Sequence, residues 1–436
     1  MKWNRLGWGA LGWLHAHVPF KWRLALRWRL HGIVGSPMPP LPLPKAAQGS
    51  TASRSYVLNP PTRRGANLLG YARGEFGLGE SLRAYAHSLE HAQYPFTIFN
   101  FDVGTASSQR DHSMDVHIAD TLRYAANIFF INADQMPIAC KVLGKQTFAG
   151  HYNIGLWLWE LKIFPRDWRC AFELVDEVWA PTTFVRDAIG AATGKPVLRM
   201  PLAVEPQAPV GMDRACFGLP QDEFVFLFSF DFNGFASRKN PEAVIAAFRL
   251  AFGGGAHKVR LLLKSSSGQR FHERLEALQH DIADDPRIEL RDGFLSREEM
   301  SGLQNAADCF VSLHRAEGFG LGLAECMYFG KPVIATGYSG NMDFMDHANS
   351  LPVDYRMIPL RDGDYPYWQG QHWADPDVAH AARLMRQVYE HRDLARRIGG
   401  NAATSIRRSH SHASCAAAIT QRLQDIDDRN TQTGPH

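Results

Sequence analysis

From residue 66 to residue 336 the chain repeats one pattern: an apolar, β-branched or aromatic run, a loop holding glycine, then a stretch with apolar positions at helical spacing. In the first series, strands are predicted at 67–72 (NLLGYA), 97–102 (TIFNFD), 126–131 (ANIFFI), 153–158 (NIGLWL), 175–181 (VDEVWAP) and 196–200. The glycine loop GEFGLG at 74–79 separates the first strand from an amphipathic helix over 80–92, and Thr182 or Thr183 caps a helix after the fifth.

Between 202 and 220 the period is lost while proline and glycine accumulate, which marks a connection between domains. A second series follows. EFVFLFSF at 223–230 is apolar at nearly every position, as in a parallel strand buried on both faces, and Pro241 opens a helix. Strands are predicted at 258–264 (KVRLLLK) and 287–290, and a helix at 296–307 leads into a strand ending in Leu313 and His314. A glycine-rich turn at 316–320 then precedes a helix at 321–329, stopped by Gly330 with Pro332 just beyond, and 375–427 reads as helices. This alternation predicts an α/β protein of two doubly wound parallel-sheet domains. The expected boundaries are an extension and linker at 1–62, a first domain at 63–205, a connection at 206–221, a second domain at 222–395 and a tail at 396–436.

Composition is that of an ordinary globular protein, 45% hydrophobic and 21% charged, and the six cysteines are scattered without a CxxC pair. That usage fits reduced thiols in the cytosol and argues against a structural zinc site. The net charge of +3 hides an asymmetry: residues 1–74 hold no Asp or Glu, and the rest of the chain is net acidic. In 1–31, Trp3, Trp8, Trp13, Trp22 and Trp28 alternate with Lys2, Arg5, Lys21, Arg23, Arg27 and Arg29, without the apolar run that a signal peptide or a spanning helix needs. Tryptophan beside cations suits the headgroup layer of an anionic membrane, where each basic residue contributes roughly 1 kcal/mol. The expectation is a cytoplasmic protein held peripherally on the inner face of the cytoplasmic membrane; packing of this extension on the domains is the alternative. Nucleic acid is not expected as a partner, since the remainder is acidic.

Two carboxylates stand out. Glu317 lies in the turn after a buried strand, where phosphate-bearing ligands collect in open α/β sheets, and Glu325 lies one turn inside an otherwise apolar helix. A buried carboxylate needs a dedicated partner. Arg238 and Lys239 are expected at the N-terminus of the helix from Pro241, the wrong end of the dipole for cations unless an anion lies between. Lys264 ends another strand on the same side, and Glu160 follows the strand at 153–158. The loop order G-x-x-G-x-G departs from the dinucleotide fingerprint, so Asp102 gives only slight support to a nicotinamide-dependent oxidoreductase. His87 and His91 lack the glutamate of a zinc-protease motif, since Ser88 holds that place, and His410, His412 and Cys415 sit on a polar tail; no metal site is expected.

Glu317 and Glu325, with EGFGLGLAE spanning them, resemble the E-x7-E element of the retaining glycosyltransferases of family 4, whose GT-B architecture sets two Rossmann-like domains face to face across a deep cleft. The resemblance covers roughly residues 65–400. RKNP is similar to that family's donor-phosphate motif, and SLHRAEGFGLGLAECMYFGKPVIATGYSGN to its donor-domain signature, while WELKIFPRDW and FDFNGFASRKNP resemble a bacterial branch that assembles polysaccharide and lipopolysaccharide.

The resemblance implies that Glu317 binds the donor sugar, that Gly318, Phe319, Gly320 and Leu321 lie against the sugar and diphosphate, and that Glu325 holds the ribose. Lys239 with Arg238 would neutralise the leaving diphosphate, Lys264, Phe294 and Leu295 would complete the donor subsite, and Gly77, Gly79, Glu160, Ser339, Gly340 and Asn341 would border the acceptor. It further implies a nucleotide-sugar donor, a polysaccharide or lipid-linked acceptor, no cofactor, and a last helix returning to the first domain. Asp231 stands where the family has an arginine and Glu160 where many members have histidine. A glycoside hydrolase and a non-catalytic membrane scaffold are the competing expectations.

Overall fold

The computed structural model describes residues 63–103, 109–254 and 256–432; the Trp- and Arg-rich stretch 1–31 and the linker that follows, with the membrane expectation they carry, lie outside the described residues. The first domain is a parallel sheet of β1 (Ala66–Gly70), β2 (Phe96–Asn100), β3 (Ala126–Phe130), β4 (Tyr152–Leu156), β5 (Glu177–Ala180) and β6 (Val197–Arg199), in the order β2-β1-β3-β4-β5-β6. Its helices are α1 (Gly77–His91), α2 (Met136–Leu143) and α3 (Thr183–Gly190), the last capped by the Thr182 side chain. Every residue of β1 and β3 is buried, and Leu68 stands in register with Ile98 on one side and Ile128 on the other. The apolar runs thus become strands enclosed on both faces.

The second domain contains β7 (Phe224–Asp231), α4 (Ala236–Lys239), α5 (Pro241–Phe252), β8 (Val259–Ser266), α6 (His272–Ile282), β9 (Ile288–Asp292), α7 (Arg297–Ala306), β10 (Cys309–Ser312), α8 (Leu321–Tyr328), β11 (Val333–Thr336) and β12 (Leu351–Val353). The order β12-β11-β10-β7-β8-β9 reverses between β7 and β10, and ligands in such sheets bind outside the carboxyl ends of the strands at that reversal. The loops leaving β7 and β10 carry Lys239 and Glu317. Topology alone therefore brings the two motifs together.

Arg238 and Lys239 do not begin the helix expected for them. They end the separate turn α4, and Asn240, left-handed at φ 58°, divides it from α5. Pro241 disfavours helical conformation in the residue before it, and asparagine tolerates the left-handed region better than most residues do.

An antiparallel hairpin, β13 (Tyr355–Pro359) with β14 (His372–Pro376), follows, and then α9 (Val378–Glu390), α10 (Arg392–Ser409) and α11 (His412–Gln432). Helix α11 lies on the first domain: Cys415, Ile419, Leu423 and Ile426 share a core with Leu82, Tyr85 and Leu89 of α1, and Arg422 Nε pairs with the buried Glu177 of β5 at 3.1 Å. The segment 360–371 inside the hairpin also crosses to the first domain. Leu360 and Tyr365 pack among Trp157, Trp159 and Phe164, Trp168 Nε1 donates to the Tyr367 hydroxyl at 2.9 Å, and the Gln371 amide accepts from Ile163 N–H at 3.1 Å while donating to its carbonyl at 2.6 Å. Both sheets and this strap belong to one compact unit. Among the described residues no helix is long and apolar enough to cross a membrane.

Candidate active site

A cleft of about 850 Å³ runs between the two sheets' carboxyl edges. On the second-domain side the chain leaves β10 and turns through 313–320 into α8, a turn that needs Gly320 because φ there is 95°. Glu317 in this turn meets Lys239 Nζ at 2.5 Å and Arg238 Nη1 at 3.2 Å. Burial opposes its ionisation, but Lys239 and Arg238 outweigh burial and hold the carboxyl down to about 2. Burial also draws Lys239 below the ordinary lysine value against the pull of Glu317.

Arg238 is a brace more than a surface cation. It is 5% exposed, and its guanidinium donates to the Ala316 carbonyl at 2.7 Å and the Gly234 carbonyl at 3.2 Å. Lys239 is the member of the pair that lines the cleft. The Glu317 turn is buttressed from behind: Glu317 N–H donates to Ser339 Oγ at 2.8 Å, and Gly340 N–H donates to the Glu317 carbonyl at 2.9 Å. A side chain at residue 340 would put Cβ 2.2 Å from the Gly318 carbonyl oxygen, and Asn341 is fully buried with its amide on the Thr336 carbonyl. Ser339, Gly340 and Asn341 therefore shape the loop and do not line the cleft.

Glu325, on α8, is 2% exposed and finds its partners inside the chain. Gln304 Nε2 donates to it at 2.7 Å, and Arg297 Nη1 lies 2.6 Å from its other oxygen. Burial opposes the Arg297 charge, yet Glu325 and Glu80 raise its affinity for the proton. Arg297 also stands 3.8 Å from Glu80 of α1, across the cleft. The carboxylate's burial is thus met by Arg297 and Gln304 before any ligand arrives.

Lys264 is held at the end of β8, its ammonium donating to the carbonyls of Ser265, at 2.7 Å, and Gly293. Phe294 and Leu295 line the same end, and Arg110 of the first domain lies over the Phe294 ring at 5.9 Å. On the opposite wall Glu160 accepts from the Tyr365 hydroxyl at 2.8 Å and lies 4.0 Å from Arg238. Gly77 lines the cleft; Gly79 does not, since a Cβ there would stand 2.1 Å from the Gly74 carbonyl, and its bareness seats α1 on the preceding loop. Asp231 accepts from Asn233 N–H at 3.0 Å and borders the cleft, so the position that the family resemblance gives to an arginine holds a carboxylate.

Arg297, Gln304 and Tyr365 were not foreseen from the sequence. Arg297 carried a signal: Ser296 and Glu299 form a capping box that places it in the first turn of α7, the unfavourable end for a cation, which is the argument applied to Arg238. Gln304 and Tyr365 carried none, because their neighbours come from 21 and 205 residues away. Among the described residues no group of three or more His, Cys, Asp or Glu is placed to hold a metal ion.

Lys239, the start of α8 and the Glu317 carboxylate thus face one cleft, an arrangement suited to binding an anion beside hydroxyl groups. The fold is that of the GT-B proteins, two facing Rossmann-like domains. Residues 213–405 match the family model described as Glycosyl transferases group 1, so the second domain is a glycosyltransferase domain and the chain a glycosyltransferase. No curated protein sequence matches it. Among solved structures it is similar in fold to Anabaena HepE in complex with UDP and glucose, at 14% identity over 83% of this chain and 100% of that one, TM-score 0.60. Sucrose-phosphate synthase from Thermosynechococcus elongatus matches at 17% identity over 84% and 100%, TM-score 0.62. The lipopolysaccharide outer core galactosyltransferase WaaB in its apo form matches at 13% identity over 83% and 99%, TM-score 0.52.

Proposed function

We propose that this protein transfers a hexose, with retention, from a nucleotide-diphosphate sugar of the GDP-mannose or UDP-hexose type to a hydroxyl of a growing, lipid-linked polysaccharide, without a metal ion. The observation that carries this reading is the Lys239–Glu317 pair at the β7/β10 reversal, with Glu325 on the helix that begins beside it. Breaking a sugar–phosphate bond leaves negative charge on the diphosphate. Lys239, the Arg238 behind it and the N-terminus of α8 are preset around that position, and each well-placed group of this kind contributes a few kcal/mol. Glu317, ionised and held by two cations, accepts hydrogen bonds from donor hydroxyls, and Glu325 accepts from the ribose.

In this reading the acceptor hydroxyl attacks on the face the diphosphate leaves, and the departing phosphate oxygen takes its proton. A hydrolase reading fits poorly: a carboxyl held at about 2 cannot serve as a general acid near neutral pH, and Glu325 is committed to Arg297 and Gln304. HepE, which shares the fold, is described in complex with UDP and glucose, which supports a nucleotide-sugar donor in this reading. The basic extension at 1–31 supports peripheral attachment to the cytoplasmic face of an anionic membrane, near a lipid-linked acceptor.

The test is nucleoside diphosphate release from UDP-glucose, UDP-galactose, UDP-N-acetylglucosamine, GDP-mannose, ADP-glucose and dTDP-glucose, with the anomer of the product read by NMR. One donor class should be turned over, with the α-anomer kept and activity preserved in EDTA. An inverted product or a strict metal requirement would contradict the mechanism, and inertness toward all six would defeat the transferase assignment.

A further inference from the structure

Tyr365 comes from the strap at 360–371 of the second domain, yet its hydroxyl donates to Glu160 of the first at 2.8 Å. Its ring lies 5.8 Å from the Arg238 guanidinium, and the rings of Phe235, in an edge-type contact, and Trp159, tilted at 50°, lie at 4.7 and 5.9 Å. Glu160 therefore has a fixed neighbour on one oxygen, while the other points toward Arg238 at 4.0 Å, outside close ion-pair contact. Arg238 and Lys239 meanwhile make their close contacts with Glu317, at 3.2 and 2.5 Å.

Four charged groups, Glu160, Arg238, Lys239 and Glu317, thus lie together, with Arg238 and Glu317 largely buried, so the balance among them matters. If Glu160 swung freely it would close on Arg238 or Lys239, since opposite charges in a low-dielectric site attract strongly. A cation so neutralised has less to offer a diphosphate that gains charge as the sugar leaves. The tyrosine hydroxyl is what opposes that swing.

We infer that Tyr365 is a positioning residue for transfer: docked with its strap on the first domain, it holds Glu160 away from Arg238 and Lys239 so that both cations stay on Glu317 and Lys239 stays turned toward the cleft and the leaving group. The inference rests on the transferase reading above. It assigns the strap a purpose beyond joining the domains, because the restraint on Glu160 exists only while 360–371 is seated against Trp159 and Phe164.

The test uses the full chain and steady-state release of UDP from UDP-glucose and of GDP from GDP-mannose, in wild type, Tyr365→Phe, Glu160→Gln and the double variant. Tyr365→Phe keeps the ring on Arg238 and removes only the hydroxyl. It should lower kcat at least tenfold with the donor KM within twofold and the melting temperature within a few degrees. Adding Glu160→Gln should restore at least half of the lost rate, since an uncharged side chain has nothing to be held back from; a merely structural tyrosine would show no such rescue. Wild-type turnover in Tyr365→Phe, or a double variant no faster than Tyr365→Phe, overturns the proposal while leaving the transferase reading in place. Wild type that releases neither nucleotide overturns both.

Discussion

Arg297 lies 2.6 Å from Glu325 and 3.8 Å from Glu80, so a single guanidinium joins the buried carboxylate of the second domain to the first helix of the other. The pair explains how α8 can hold a charge at 2% exposure. It also means that a ribose approaching Glu325 must share that carboxylate with Arg297 or displace it.

Arg297→Ala should therefore destabilise the chain. Breaking a buried pair by removing one partner costs about 3 kcal/mol, and the figure here belongs at the low end because the arginine is partly exposed. Chemical denaturation measures it. Glu325→Gln introduced together with Arg297→Ala should recover most of the loss, and a double variant as unstable as the single would show that Arg297 stabilises by some other contact.

Glu325→Ala and Glu317→Ala should each abolish release of nucleoside diphosphate, by at least a hundredfold, with the fold intact by circular dichroism. Wild-type turnover in either variant would dismiss the site assignment. For Glu325→Ala, the melting-temperature rise given by the preferred nucleotide should also disappear, since ligand stabilisation follows affinity.

Acid should lower the stability of the protein over two overlapping pH ranges. Burial lowers the pKa of His314 and of His410 from 6.5 to about 4. Both are neutral in the folded state and take up protons on unfolding, so their contribution is complete above pH 6.5 and is lost as pH falls toward 4, up to about 3 kcal/mol each. Glu317, held down from 4.5 to about 2, adds stability that is complete above 4.5 and is lost between 4.5 and 2. Replacing His314, fully buried and with neither ring nitrogen partnered among the described residues, by Gln should flatten the loss over the upper range; an unchanged slope between pH 6.5 and 4 would exclude it as a source.

Removal of residues 1–35 should release the protein from liposomes containing anionic phospholipid while leaving donor hydrolysis within twofold of wild type. Co-sedimentation measures this at low and physiological salt. Equal binding by the shortened protein would dispose of the membrane role.

Much of the scaffold was legible because enclosed parallel strands leave continuous apolar runs: EFVFLFSF became β7 within one residue at each end. The glycine turn at 316–320 and Glu317 were legible for the same reason, since a charge beside a buried strand end is conspicuous. What stayed hidden was whatever depends on distant pairing. The strap has no period of its own, because its aromatic residues answer to Trp157, Trp159 and Phe164 rather than to neighbours along the chain. Ser339, Gly340 and Asn341 look like ligand groups in sequence because glycine and small polar residues serve both ligands and tight loop packing; only the 2.2 Å approach at residue 340 tells them apart. Glu325 calls for a partner from the sequence, but Arg297 and Gln304 meet it from α7, which the apolar pattern of its own helix does not indicate.

The chain passes between its two domains four times, once at the connection after β6, out and back through the strap, and finally into α11. Neither domain is consequently a continuous piece of sequence. Cutting between β6 and β7 would separate the first sheet from the helix that covers α1 and from the aromatic residues that cover Trp159, and would leave those same residues bare on the second fragment. The two halves should be recoverable only as a complementing pair, and a protease able to reach 360–371 would cut one of the links across the cleft without touching either sheet.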